Sequence, residues 1–86
     1  MTGEQILAAV TAGRARQAEL WDRDHAHGWG DCSSRRVPAS VKVAVLAEES
    51  GEVARAVLEG DADGLRRELV QVCAVCWAWL EGLEPS

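Results

Sequence analysis

Between Val41 and Leu58 the chain is an apolar helix-forming run in which Lys42, Glu48, Glu49, Glu52 and Arg55 are the charged residues. At roughly 100° per residue, Glu48, Glu52 and Glu49 fall at about 0°, 40° and 100° on the helical wheel, with Val41 and Val45 at about 20° and 60°. The glutamates therefore share a face with valines. The opposite side, with Val43, Leu46, Val53 and Val57, suits an interior or a subunit interface. Few folds accept carboxylates in that position, and the rest of the chain narrows them further.

Strand signals are poor, because Phe and Tyr are absent and β-branched residues scatter among alanines and glutamates. The expected fold is all-α, one domain over residues 1–86, a helical hairpin or bundle completed by oligomerisation. Helix 1 is expected from about Thr2 to about Asp24, opened by a Thr2/Gln5 capping box, with Gly13 a possible break. Residues 25–38, with Gly28, Gly30, Ser33, Ser34 and Pro38, read as a loop. Helix 2 spans about 39–59 and stops at Gly60; helix 3, capped by Asp61 or Asp63, spans about 61–81. In helix 3, Leu65, Leu69, Val72, Cys76, Leu80 and Leu83 keep the spacing of a packed face. The short link makes helices 2 and 3 antiparallel neighbours.

In that hairpin Glu68 and Gln71, three apart and adjacent on their helix, can face Glu49 and Glu52. Two carboxylates about 6 Å apart repel by roughly 3 kcal/mol at an effective dielectric near 20. Protonation or a hard divalent cation relieves this, and all-oxygen ligation suits Mg²⁺, with Mn²⁺ possible, better than Zn²⁺. Mg²⁺ in turn commonly bridges carboxylates to substrate phosphates.

The remaining composition sets limits. With 14 acidic against 9 basic residues the charge is −5, which disfavours nucleic-acid binding. The uncharged stretch Leu69–Leu80 is about 18 Å long as a helix, too short for a membrane. The first 25 residues lack the apolar run of a signal peptide, and three cysteines argue against a disulfide framework, so a cytoplasmic location is expected. Cys73 and Cys76, a CxxC inside an apolar helix, read as core packing rather than zinc or redox chemistry. His25, His27, Asp31 and Cys32 match no zinc spacing and read as a mobile loop. Trp77 and Trp79 read as packing residues, while for Trp21 and Trp29 packing and base stacking weigh equally.

Glu48-Glu49-Ser50-Gly51-Glu52 fits the EExxE motif of the MazG-like nucleoside triphosphate pyrophosphohydrolases, and Glu68-Leu69-Val70-Gln71 stands at the place of that family's ExxD. The text VAVLAEESGEVARAVLEGDADGLRRELVQV is similar to the family beyond the acidic positions, and Arg14-Ala15-Arg16-Gln17 with Trp21 resembles the RxRQxxxW element of short phage-type members. The resemblance covers about Arg14 to Leu83. It implies Mg²⁺-dependent hydrolysis of nucleoside triphosphates to monophosphate and pyrophosphate by a homodimer or homotetramer. It implies Glu49, Glu52 and Glu68 as metal ligands, joined by Gln71, with Glu48 and Glu49 as the catalytic carboxylates, Glu48 either ligating a second ion or orienting the attacking water. Gln17, Trp21 and Lys42 are the expected substrate contacts. Gln71 departs from the family's aspartate, supplying no charge and no base. That leaves two alternatives: a catalytically weak or inactive nucleotide- or metal-binding homologue, or a helical interaction module.

Overall fold

The computed structural model describes residues 1–83. The last three residues of the expected domain therefore lie outside the described part. The element order is α1 (Gly3–Leu20), β1 (Asp24–His25), β2 (Gly28–Trp29), α2 (Ala39–Leu58) and α3 (Ala62–Leu83). The architecture is mostly helical, as expected, but the segment read as plain loop contains a short antiparallel hairpin pairing Asp24 with Trp29 and His25 with Gly28.

Local chemistry accounts for the helix ends. Thr2 and Gln5 form the reciprocal capping box, so two N-terminal donors of α1 are satisfied. The helix runs unbroken through Gly13, whose bare Cα faces Val70 and Ala74 of α3. It stops at Leu20, earlier than expected, before the turn into the hairpin. Gly60, at φ +67°, supplies the left-handed residue that ends α2, and the Asp61 carboxylate accepts from the Gly64 amide to open α3. Asp61, not Asp63, is thus the cap.

α3 is the central element. Both α1 and α2 pack against it, and they make no contact with each other. The buried side of α3 carries Gly64, Ala74, Val75 and Ala78, small residues that let its neighbours approach closely. The stripe expected to be its packed face fails in part: Leu69, Leu80 and Leu83 are exposed. The helix is apolar nearly all round, and the closest packing goes to the side where side chains are smallest. The core is correspondingly thin, centred on Cys32, Val75 and Ala78 with Val45 and Leu46 packed against them. On α2 the expected interior side also splits, with Leu46 and Val53 half-buried but Val43 and Val57 exposed. Among the described residues no helix is long and apolar enough to cross a membrane.

Candidate carboxylate site between helices 2 and 3

The inward face of α2 repeats at three and four residues: Lys42, Val45, Leu46, Glu49, Glu52, Val53 and Ala56 are all buried or half-buried. Two of its carboxylates thus occupy core-facing positions. Glu48 is exposed on the shoulder of the same helix. Opposite, Glu68 and Gln71 of α3 are half-buried.

Glu49 is where these groups meet. Its carboxyl is held above the ordinary range, chiefly because burial penalises the charged form, and then because Glu68, Glu48 and Glu52 add negative charge around it. Of the three, Glu68 across the helix pair has the strongest effect. Glu52 is turned partly towards solvent and reaches Arg55 at 3.9 Å. The four expected carboxylates therefore form a close pair, Glu49 and Glu68, flanked by Glu48 and Glu52. Among the described residues no three His, Cys, Asp or Glu side chains stand together as a ready-made metal cage. A pair is nevertheless the donor set that Mg²⁺ takes from protein, since it keeps its waters and is commonly bound by one or two carboxylates plus substrate phosphates. The raised Glu49 carboxyl is the local observation that fits a cation there.

Gln71 sits one turn from Glu68 and is not free. Its carbonyl oxygen accepts from the Gln17 amide of α1 at 3.0 Å, leaving one lone pair for any other partner. This bond carries α1 to the edge of the carboxylate site, and it brings two of the expected site residues together. Trp21 follows at the end of α1, 38% exposed, with His25 edge-on at 5.2 Å and the Arg23 guanidinium 5.0 Å above its ring. Trp29 is comparably open and carries Arg36 at 5.7 Å.

Lys42, expected as a substrate contact, faces inward from α2. Only 5% of it is exposed, and it is packed close enough to Cys32 to act on the thiol electrostatically. Among the described residues no carboxylate pairs with it. That enclosure leaves Lys42 little surface open to solvent. Burial pushes the Cys32 thiol up, and Lys42 opposes that shift.

Sequence reasoning missed one polar constellation entirely. The Arg14 guanidinium donates to Asp31 of the loop and to Glu81 of α3, tying three segments together. Asp31 also accepts from the backbone and hydroxyl of Ser33, and these bonds, with the Arg14 charge, hold its carboxyl below the usual range despite burial. Arg14, which the sequence marks only as part of the RxRQxxxW pattern, fastens the segment expected to be a mobile loop. The expected helical packing of the CxxC pair is also revised: Cys73 is exposed and Cys76 half-buried, because both lie on the side of α3 that neither neighbouring helix covers. Trp77 is 39% exposed for the same reason. No protein-family model, curated protein or solved structure matches the chain.

Proposed function

We propose that the chain is a homo-oligomeric, Mg²⁺-dependent nucleoside triphosphate pyrophosphohydrolase of the MazG-like type. One observation carries this reading: Glu49 of α2 and Glu68 of α3 share a half-buried place in which Glu49 resists ionisation. A structural core gains nothing from such a pair, whereas a cation site needs it. The EExxE pattern supplies the reaction class.

In this reading Glu49, Glu68 and Glu52 would hold the cation. Mg²⁺ would supply charge neutralisation for the triphosphate. Glu48, exposed beside the pair, orients water for attack on the α-phosphorus, and the products are monophosphate and pyrophosphate. Gln71, bonded to Gln17, is the weakest candidate ligand. Gln17 and Trp21 border the site from α1 and present an amide and an aromatic face to the nucleotide.

Exposed Val43, Val57, Leu58, Leu69 and Leu80 support assembly of more than one copy. Free cysteines suit a reducing, cytoplasmic setting.

Incubating the purified protein with Mg²⁺ and a panel of ribo- and deoxyribonucleoside triphosphates tests the reading. Monophosphate and pyrophosphate in equal amounts are expected, lost in Glu49→Gln and Glu68→Gln. The Gln17–Gln71 bond favours one second reading, a non-catalytic nucleotide or metal binder. Binding without turnover, or turnover that appears only in Gln71→Asp, would select it.

A further inference from the structure

The stretch Cys32–Ala47 carries Arg35, Arg36 and Lys42 and no acidic residue, in a chain whose net charge is −5. This local excess of positive charge surrounds the start of α2. That helix begins without a side-chain cap, because Pro38 precedes it. The Val41 and Lys42 amides turn back to the Pro38 carbonyl at 3.0 and 3.2 Å, while the Ala39 and Ser40 amides find no acceptor among the described residues. Both residues are exposed. Two open donors and the positive end of a 20-residue helix dipole therefore face outward together.

Water alone would satisfy such amides; the second feature is Lys42. It is 5% exposed and has no hydrogen bond or ion pair to any described residue. No fully buried side-chain nitrogen goes without a partner, so the sliver of Lys42 that meets solvent includes its ammonium. The stem is packed and the charge at its tip is unpaired. Side chains on a helix lean towards its N-terminus, and Lys42 stands four residues after Pro38, a rise of about 6 Å that its stem spans. Consistent with that direction, its charge is felt at the Cys32 thiol, in the segment that leads up to the helix.

We propose that the N-terminal end of α2, with the Ala39 and Ser40 amides and the Lys42 ammonium, binds a phosphate group. A tetrahedral phosphate turns one oxygen to the amides and another to the ammonium, and its charge meets the helix dipole. Arg36, exposed two residues before Pro38, adds to the attracting field. The site lies two helical turns, about 10.5 Å, from Glu49 along α2. Val45 and Leu46, packed on the core, stand between the two places. The phosphate site is thus separate from the carboxylate pair and takes its ligand without a divalent cation. It does not rest on nucleotide hydrolysis.

The test uses the full chain in chelator at fixed ionic strength, with backbone amide shifts followed by NMR as inorganic phosphate is added. Saturable shifts at Ala39 and Ser40 are expected, with none when chloride replaces phosphate. Adenosine monophosphate as a second probe separates two sources of the same chemistry. Equal affinity assigns free phosphate, and affinity raised by about tenfold assigns a phosphate carried on a nucleotide. Lys42→Met keeps the packed stem without its charge and should weaken binding by about tenfold or more. Ala39→Pro removes one amide at a first-turn position that accepts proline, after a Pro38 already extended at ψ 164° less ten, and should weaken binding by about threefold. Both variants should keep helical circular dichroism. Shifts that do not saturate in wild type, or that survive Lys42→Met undiminished, overturn the site and leave the hydrolysis assay on Glu49 and Glu68 unaffected.

Discussion

Replacing Glu49 by Gln should stabilise the metal-free protein, although Glu49 is proposed as a ligand. Glu49 faces Glu68 across the helix pair, with Glu48 and Glu52 nearby. For two carboxylate charges about 5 Å apart, an effective dielectric between 20 and 80 gives roughly 1–3 kcal/mol of repulsion. A domain of this size gains about 4–8 °C in melting temperature per kcal/mol, so a rise of roughly 4–24 °C is expected at neutral pH without metal. The direction with pH follows from the raised Glu49 carboxyl. Its favourable contribution is complete below the ordinary glutamate range and is lost as pH rises through the higher folded-state value. Metal-free wild type should therefore lose stability across that window, and Glu49→Gln should lose less. Mg²⁺ at about ten times its dissociation constant should add roughly 1.4 kcal/mol to wild type and much less to the variant. Thermal melts with and without Mg²⁺, over a pH series, measure all of this. If metal-free Glu49→Gln melts at or below wild type, and Mg²⁺ leaves wild type unmoved, the carboxylate pair is not a strained cation site and the argument fails.

Arg14→Leu should cost about 3–5 kcal/mol in urea unfolding, because it leaves Asp31, with its side chain only 7% exposed, without its cation. Glu81, half exposed, should add little to that loss. Because the Asp31 carboxyl is held low, its stabilisation is present above the ordinary aspartate range and disappears as pH falls through the folded-state value; the acid limb of wild type should shrink in Arg14→Leu. Gly28→Ala should destabilise by about 2 kcal/mol or more, since φ is +129° and a Cβ would meet the Arg36 carbonyl; chemical denaturation and the Trp29 fluorescence report it. Gly51→Ala, by contrast, adds a methyl into open space within a helix and should stabilise by about 0.5–1 kcal/mol in the same assay.

Much of this was legible from residues alone. Caps, a left-handed glycine and helical spacing are local signals, so Thr2, Gly60 and Asp61 placed the helices to within a few residues. The packing of α2 on α3 was also legible, because a short link between two helices leaves little choice of arrangement. What escaped depended on contacts distant in sequence. Arg14 finds Asp31 and Glu81 only after the loop has folded back, and no spacing rule encodes that return. Lys42 looked like an accessible cation because charge on a helix usually is, yet only 5% of it is exposed. The outward side of α3 misled in the opposite sense: an apolar stripe predicts burial, but two helices cannot cover all sides of a third.

Because α1 and α2 each pack on α3 and not on each other, the helices of the described residues form no closed ring. Detaching α1 together with the Arg14–Asp31 fastening would leave the α2–α3 hairpin, with Glu49 and Glu68, intact as a smaller unit. Amide exchange should then divide the molecule unequally, with α1 amides exchanging through a cheaper opening than those of the hairpin. The groups that border the site from α1, Gln17 and Trp21, would come and go on that shallower excursion while the carboxylates stay in register.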